Sequence, residues 1–209
     1  MVDRTLTLDS FLEKEYISHP LIKEKSIERR AYQISIAATA LMRNTLVVLP
    51  TGLGKTIIAL YVIASRLHNH DGKVIFLAPT KPLVEQHAEF LRRNLKIDPE
   101  KIVTLSGEVS PEKREEIYRD AMVVVSTPQV IENDLVTGRL SLSDVVHMTF
   151  DEAHRAVGNY SYVFVAKQYL REAENPLILG MTASPGSDIE RIREIVENLG
   201  IEEIEIRTE

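Results

Sequence analysis

The stretch that decides the fold runs from Thr45 to Thr56 and reads TLVVLPTGLGKT. Its first five residues are apolar or β-branched, as in a buried strand, and the largely apolar stretch that follows at 57–67 has the length of a helix. Between them, glycines let backbone N–H groups close around a phosphate, and the helix N-terminus adds its positive end. In such a loop Lys55 would hold the β- and γ-phosphates of a nucleotide, and the Thr56 hydroxyl would hold Mg²⁺.

The predicted phosphate loop contributes six nucleotide-binding residues: Thr51, Gly52, Leu53, Gly54, Lys55 and Thr56. It departs from the general phosphate-loop pattern at Leu49, where that pattern has a glycine. The alternative is an ordinary glycine-containing turn of an α/β protein. The strand before the loop and the helix after it favour a phosphate site.

A second motif supports the first. The apolar run VVHMTF at 145–150 leads directly into Asp151 and Glu152, the first two residues of the sequence DEAH. Adjacent carboxylates at the end of a buried strand lie where open α/β sheets bind ligands. We expect Asp151 to lie beside Mg²⁺ and Glu152 to accept a proton from the attacking water. Together with Lys55, they are candidate catalytic residues for hydrolysis of a nucleoside triphosphate.

In the rest of the chain, short apolar runs alternate with amphipathic segments. Strands are predicted at 45–49, 73–78, 102–105, 122–126, 145–151 and 177–182, and a last, acidic one at 203–207. The first six are rich in Val, Ile and Leu with little polar alternation, which is typical of parallel strands covered by helices on both sides. The pattern predicts an α/β fold with a mostly parallel sheet and helices on both faces.

The segment before the first strand contains a predicted helix at 29–42. A glutamine amide can donate and accept hydrogen bonds along an adenine edge, so Tyr32 and Gln33 are candidates for base recognition. We therefore divide the chain into a lead-in with an adenine-recognition helix, 1–44, and an ATP-binding part, 45–209. Together they are expected to form one structural domain.

Several helix starts carry recognisable chemistry. Thr127 and Ser110 each precede a proline, which predicts a hydroxyl N-cap followed by proline at the first helical position. Ser187, with a glutamate three residues later, predicts a capping box that opens a helix at 188–199. The charged segment 112–119 alternates in sign and is expected to be a solvated helix face.

The formal net charge of −6 argues, taken alone, against a nucleic-acid binder. Most of the acidic excess lies in residues 188–209, which hold 8 acidic and 3 basic residues. Residues 1–187, which carry every motif, hold 23 acidic and 22 basic residues. Backbone N–H groups, helix N-termini and hydroxyls can contact phosphodiesters there with few cations.

The absence of cysteine excludes disulfides, thiol nucleophiles and thiolate zinc sites, and it fits a reducing compartment. The longest unbroken apolar run, 57–64, is far shorter than the roughly 20 residues that span a bilayer. No leader sequence opens the chain. We expect a cytoplasmic protein with no membrane partner. The composition favours a thermophilic source, because Asn and Gln are scarce and Glu, Lys, Ile and Val are frequent.

Seven motifs in this order resemble the first RecA-like domain of a superfamily-two helicase with a DEAH box. They are Tyr32-Gln33, 50–56, APTKPL at 78–83, Ser106-Gly107, STPQ at 126–129, DEAH at 151–154 and TAS at 182–184. Within that superfamily, FDEAHRAVGNY at 150–160 and GMTASPG at 180–186 are most similar to the family of the archaeal helicase-nuclease Hef and the Fanconi anaemia M translocase. The RNA-sensing helicases of innate immunity are second. The resemblance covers nearly all of the chain but only the front part of such a protein.

The resemblance implies roles for individual residues. Gln33 would read adenine, with Arg30 and Tyr32 framing the nucleotide. Three residues would couple the nucleotide site to the nucleic-acid face: His154, Thr182 and Ser184. Seven residues would lie along the phosphodiester track of one strand: Pro79, Thr80, Lys81, Ser106, Gly107, Thr127 and Pro128.

The resemblance also implies partners. ATP and Mg²⁺ would be the cofactors, and DNA, single-stranded or branched, would be the substrate. A second RecA-like domain, absent from this chain, would supply arginines to the transferring phosphoryl group, and in Hef-type proteins a nuclease domain would follow. Because a trans arginine is worth about 10³–10⁵ in rate in comparable systems, the isolated chain should bind ATP and hydrolyse it slowly.

Three functions stay open at this point. The first is the motor domain of an ATP-dependent DNA helicase or translocase, acting on branched or forked DNA in replication-fork repair. The second is a double-stranded-RNA-activated ATPase of the sensor type. The third, an unrelated phosphate-loop ATPase, is disfavoured because the helicase motifs have no role there. The sequence does not show the contacts to the sugar 2′-OH that would separate DNA from RNA.

Overall fold

The computed structural model describes residues 15–50 and 53–207. In this part of the chain, seven parallel strands form one sheet in the order β3-β4-β2-β5-β6-β1-β7. The strands are β1 Thr45–Val48, β2 Lys73–Leu77, β3 Ile102–Leu105, β4 Val123–Ser126, β5 Val145–Asp151, β6 Ile178–Thr182 and β7 Glu203–Ile206. Every predicted strand is present, with ends that differ from the prediction by at most one residue, and the predicted α/β class is confirmed.

Helices cover both faces of this sheet. They are α1 Ala31–Met42, α2 Leu53–Asn69, α3 Lys81–Asn94, α4 Pro111–Asp120, α5 Pro128–Val136, α6 Ser161–Glu172 and α7 Ile189–Leu199, with short 3-10 helices at Pro99–Lys101 and Ala153–Arg155. The side chains of α1, α2 and α3 share one apolar core with one face of the sheet, and those of α4 to α7 share a second core with the other face. No helix among the residues described is long and apolar enough to cross a membrane.

Alternation of side chains across the sheet explains the apolar strands. In β2, Val74 and Phe76 enter the first core, while Ile75 and Leu77 enter the second. All four are fully buried. Because helices cover both faces, neither set of alternate positions is polar. The sequence of the strand is therefore a continuous apolar run.

The described part of the lead-in packs against the first core. Ile17, Ile22 and Ile27 are buried there together with residues of α2 and α3. Backbone pairs join Tyr16 to Glu28 and Ile22 to Leu95. The division of the chain at residue 44 stays a prediction.

Of the three predicted helix caps, one is present in the structure and two differ from the prediction. Ser110 accepts a hydrogen bond from the Lys113 N–H at 3.4 Å, as predicted. Thr127 occupies the N-cap position of α5, but its side chain makes no capping bond. The capping box at Ser187 was wrong, because α7 begins one residue later and Asp188 accepts from the Glu190 N–H at 2.9 Å. A carboxylate two residues before that N–H is the stronger acceptor.

The solvated face predicted at 112–119 was wrong for Arg114. Its Nε and Nη2 each donate to the Asp134 carboxylate at 2.7 Å, and the two side chains are 5% and 0% exposed. The Tyr118 hydroxyl also donates to Asp134. Charge alternation within α4 could not indicate this pair, because the partner carboxylate lies on α5. The buried network ties the two helices together.

Candidate nucleotide site and nucleic-acid face

The candidate residues of the nucleotide site follow three adjacent strands, β5, β6 and β1, where each strand ends. In register, Asp151 at the end of β5 pairs with Met181 of β6, and Thr182 of β6 pairs with Val48 of β1. The phosphate-loop sequence begins two residues after Val48. Parallel strands thus bring these separate motifs to one edge of the sheet, where such sheets bind ligands.

Lys55 lies in the first turn of α2, and its side chain extends back to Leu49, just after β1. Its Nζ donates to the Leu49 carbonyl at 2.9 Å. Burial lowers the pKa of Lys55, and the nearby Asp151 carboxylate partly opposes that shift. Thr56, in the same turn, is 9% exposed. The predicted loop residues Thr51 and Gly52 lie outside the described part of the chain, as does the side chain of Leu53, the first residue of α2.

Asp151 is held at three points. Its Oδ2 lies 2.7 Å from Nε2 of His87, a residue of α3. Its Oδ1 accepts from the Glu152 N–H at 2.9 Å, and its backbone carbonyl accepts from the Tyr162 hydroxyl at 2.6 Å. The sequence interpretation missed both His87 and Tyr162. For His87 there was a signal, since it lies on the apolar face of an amphipathic helix, where a buried polar group needs a partner.

Glu152 has a left-handed backbone with φ of +49°. A non-glycine residue held there costs about 1–3 kcal/mol and tends to occur at functional sites. Its Oε2 accepts from Nε of Arg155 at 2.8 Å, and both side chains are partly exposed. The residue predicted to act as proton acceptor is therefore paired with a cation from the next turn.

The three residues predicted to surround adenine lie at the start of α1. Arg30 is at the N-cap position and is exposed, and Gln33 is buried. Gln33 Nε2 donates to the Tyr32 hydroxyl at 3.3 Å. A Cβ placed on Gly54 would lie 3.4 Å from that hydroxyl and 3.6 Å from Gln33 Nε2. These are ordinary van der Waals distances, so the adenine candidates lie directly beside Gly54 of the predicted phosphate loop.

The coupling candidates form a chain of hydrogen bonds. His154 Nδ1 lies 3.0 Å from Thr182 Oγ1. Thr182 Oγ1 donates to the Ser184 carbonyl at 3.1 Å and accepts from the Ser184 N–H at 3.2 Å. Because the hydroxyl has a single proton, Nδ1 of His154 must be the donor in the first bond. Burial lowers the pKa of His154, which favours the neutral ring.

The predicted nucleic-acid residues follow the other neighbouring strands, β2, β4 and β3, at the same edge of the sheet. The loops after these strands contain Pro79, Thr80, Ser106, Gly107 and Thr127, and the helices that follow begin with Lys81 and Pro128. Thr80, Lys81 and Gly107 are exposed, whereas Pro128 is buried. Lys81 Nζ lies 2.6 Å from Oε1 of Glu108, which joins the loop after β3 to the start of α3. The two sets of candidates lie side by side along one edge.

The donor atoms fit a nucleotide bound with Mg²⁺. Thr56 and Asp151 offer a hydroxyl and a carboxylate, the hard oxygen ligands that Mg²⁺ takes. Within the described residues, no group of three or more His, Asp or Glu side chains is arranged to hold a metal by itself. Mg²⁺ commonly uses one or two carboxylates together with waters and substrate phosphates. Gln33 Oε1 is buried with no hydrogen-bond partner among the residues described, so it can accept from a bound base.

The chain is similar to several known proteins. A family model described as DEAD/DEAH box helicase matches residues 30–192. The crystal structure of the Pyrococcus furiosus Hef helicase domain is similar to this chain with a TM-score of 0.87 and 57% sequence identity, over 90% of this chain and 40% of that one.

Two curated relatives are also similar. MJ1505 of Methanocaldococcus jannaschii, named as an ATP-dependent RNA helicase, is 52% identical over 93% of this chain and 25% of its own length. The ATP-dependent DNA helicase MPH1 of Coccidioides immitis is 43% identical over 87% of this chain and 16% of its own length. The chain spans a quarter or less of the length of these two relatives.

The resemblance to a Hef-type DEAH-box helicase that the motifs indicated is confirmed by these matches. The family model alone covers well over half of the 209 residues. The chain therefore belongs to the DEAD/DEAH box helicase family.

Proposed function

We propose that this chain is the ATP-binding first motor half of an ATP-dependent DNA helicase or translocase that acts on branched or forked DNA. One observation carries the proposal. Asp151 and Thr182 end two adjacent strands, and Lys55 of α2 bonds to Leu49 just after the third, while the second set of candidates follows the next three strands. Two neighbouring sites on one edge are what a motor needs to link nucleotide hydrolysis to movement along a strand.

At the nucleotide site, the ammonium of Lys55 would exchange its bond to the Leu49 carbonyl for the β- and γ-phosphates. Thr56 and Asp151 would hold Mg²⁺, which when bound offsets the negative charge of the phosphates. Glu152 would accept the proton of the attacking water. Its ion pair with Arg155 uses Oε2, which leaves Oε1 to take that proton.

Recognition of ATP over other nucleotides would depend on the start of α1. The unpartnered Oε1 of Gln33 would accept from the adenine amino group, and its amide nitrogen would donate to the ring. Tyr32, which is 40% exposed, and Arg30 would flank the base. This assignment supports adenine because guanine presents a carbonyl where adenine presents an amino group.

On the nucleic-acid face, DNA is favoured over RNA by the kinship with MPH1, which is named as a DNA helicase. The name of MJ1505, an RNA helicase, keeps an RNA-activated ATPase as the second candidate. Exposed Thr80, Lys81 and Gly107 would contact phosphodiesters in either case. The proposed location is the cytoplasm, because the cysteine-free sequence fits a reducing compartment.

The proposed activity needs a second RecA-like half. The Hef helicase chain extends well beyond the part that this chain matches, which supports such a partner. Arginines from that half would act on the transferring phosphoryl group, and their loss would cost about 10³–10⁵ in rate. The 209-residue chain would therefore bind ATP and turn it over very slowly. Robust ATP turnover stimulated by nucleic acid in this chain alone would contradict the proposal that the chain holds only half of the active site.

The test of the substrate is a binding titration. Fluorescently labelled forked DNA, single-stranded DNA and double-stranded RNA of equal length are titrated with the chain at several salt concentrations, with a non-hydrolysable ATP analogue present. The proposal predicts tighter binding to the forked or single-stranded DNA than to the RNA. A preference for double-stranded RNA would support the second candidate, and binding to none of the three would contradict both.

A further inference from the structure

The contact between His87 and Asp151 joins two largely buried side chains of the nucleotide site. Nε2 of His87 lies 2.7 Å from Oδ2 of Asp151, and the two side chains are 8% and 12% exposed. The His87 ring also lies against Phe76 of β2, with ring centroids 4.6 Å apart and planes inclined by 33°. The ring is thus fixed on one side by an aromatic contact and at its tip by a carboxylate.

The direction of this hydrogen bond follows from the chemistry of its partners. An ionised carboxylate can only accept, so Nε2 of His87 carries the proton and donates. On the other oxygen of Asp151, Oδ1 accepts from the Glu152 N–H at 2.9 Å. Each carboxylate oxygen therefore has one fixed donor and keeps a further lone pair for a ligand. The two bonds define the rotation of the carboxylate about its last side-chain torsion.

The location of His87 makes a purely packing role costly. Its neighbours on the inner face of α3, Val84, Ala88 and Leu91, are fully buried apolar residues. An imidazole at such a position has to be desolvated, which a leucine would avoid. The gain that offsets this cost in the structure is the bond to Asp151.

Helix α3 also connects the two candidate sites. It begins at Lys81, in the predicted nucleic-acid track, and His87 lies six residues later, about 9 Å along the helix axis. Thr80, at its N-cap, accepts from the Leu83 N–H. A donor to Asp151 is thus carried by the same rigid element that bears the exposed Thr80 and Lys81.

We propose that His87 is a positioning residue, which holds the Asp151 carboxylate in the orientation needed to bind Mg²⁺ with the nucleotide. The inference rests on the proposed function of the site and adds a residue to it. Partners that orient ligating side chains typically contribute 10- to 100-fold in metal affinity or activity. Loss of the His87 donor should therefore weaken the contribution of Mg²⁺ to nucleotide binding about 10-fold, without changing the binding of metal-free nucleotide.

The test uses the 209-residue chain and a fluorescent ATP analogue, titrated once with excess Mg²⁺ and once with EDTA. The dissociation constant in EDTA divided by that in Mg²⁺, the Mg²⁺ ratio, measures the contribution of the metal to nucleotide binding and needs no turnover. H87F keeps an aromatic ring against Phe76 but removes the donor, H87L removes both, and H87Q retains an N–H near the position of Nε2. H147Q is the matched control, since His147 is a fully buried histidine of β5 that bonds to Thr149 instead.

The expected result is a Mg²⁺ ratio about 10-fold smaller in H87F and H87L, a ratio within about threefold of wild type in H87Q, and an unchanged ratio in H147Q. Binding in EDTA should be equal in all of them. Circular dichroism shows which of H87F and H87L is folded. If a folded variant of these two has the same Mg²⁺ ratio as wild type, the positioning role is overturned. An equal loss in H87Q would overturn it as well. If the wild-type chain itself binds no nucleotide, the proposed function of the site fails instead.

Discussion

Replacement of Tyr162 by phenylalanine tests how the end of β5, and with it Asp151, is fixed. Tyr162 is fully buried on α6, and its hydroxyl donates to the Asp151 carbonyl at 2.6 Å and lies 3.2 Å from the Leu77 carbonyl. The ring makes an edge contact with Phe150 at 5.0 Å, which phenylalanine would keep. The substitution therefore removes one donor and little packing.

The expected cost follows from the burial of the acceptors. A buried carbonyl that loses its donor costs about 1–3 kcal/mol in free energy of unfolding. In a chain of this size, 1 kcal/mol shifts the melting temperature by about 2–4 °C, so Y162F should melt about 2–12 °C below wild type. Urea unfolding followed by circular dichroism at 222 nm measures the free energy, and an unchanged m-value shows that the same surface is exposed.

The control is Y61F. Tyr61 on α2 is partly buried, and within the residues that the structure describes its hydroxyl makes no hydrogen bond, so the change should stay within about 0.5 kcal/mol. A loss in Y162F no larger than that of Y61F would refute the reasoning. It would show that the Asp151 carbonyl is satisfied in another way and that α6 does not hold the strand end.

Three further predictions concern the proposed proton acceptor Glu152, the buried ion pair and a buried histidine. In a protein with both RecA-like halves, E152Q should keep ATP binding and lower turnover by about 10²–10⁴-fold, because the proton acceptor is lost while Asp151 remains; near-normal turnover in a phosphate-release assay would contradict this. R114A should lower the free energy of unfolding by about 3–5 kcal/mol, since it leaves the Asp134 carboxylate buried and unpaired, and a loss below 1 kcal/mol in urea unfolding would show that the pair is not needed. Burial lowers the pKa of His147 to about 3, well below its value in the unfolded chain, so the unfolded state binds the extra proton. The contribution of neutral His147 to the free energy of unfolding is therefore complete above about pH 6.5 and falls by up to about 1.4 kcal/mol per pH unit below it. The free energy of unfolding, measured at pH 7, 6 and 5, should decrease less steeply with falling pH in H147Q than in wild type. Equal pH dependence in the two proteins would contradict the prediction.

The strands could be predicted because burial on both faces leaves a plain signal. In β2, adjacent residues enter different cores, so Val74, Ile75, Phe76 and Leu77 are all apolar and the run cannot be confused with a half-exposed strand. The strand order could not be predicted in the same way. It depends on which helix crosses which face, and local patterns contain little of that information.

In the site, the motif residues could be predicted and their partners could not. Lys55 and Asp151 stand in short motifs whose spacing reflects phosphate and metal chemistry. His87 lies 64 residues before Asp151, and Arg114 lies 20 residues before Asp134, so no local pattern joins either pair. The capping error at Ser187 has a different origin, since two adjacent residues, Ser187 and Asp188, both offer acceptors and only the helix start decides between them.

The most direct test of the central claim is calorimetric titration of the 209-residue chain with ATP and Mg²⁺. Loss of a charged hydrogen bond costs about 1.5–3 kcal/mol, so K55A should bind at least about 10-fold more weakly than wild type. K81A, which changes a lysine of the proposed nucleic-acid face, should bind as wild type does, with one nucleotide per chain. Absence of binding by the wild-type chain, or equal affinity of K55A and wild type, would contradict a nucleotide site at the end of β1.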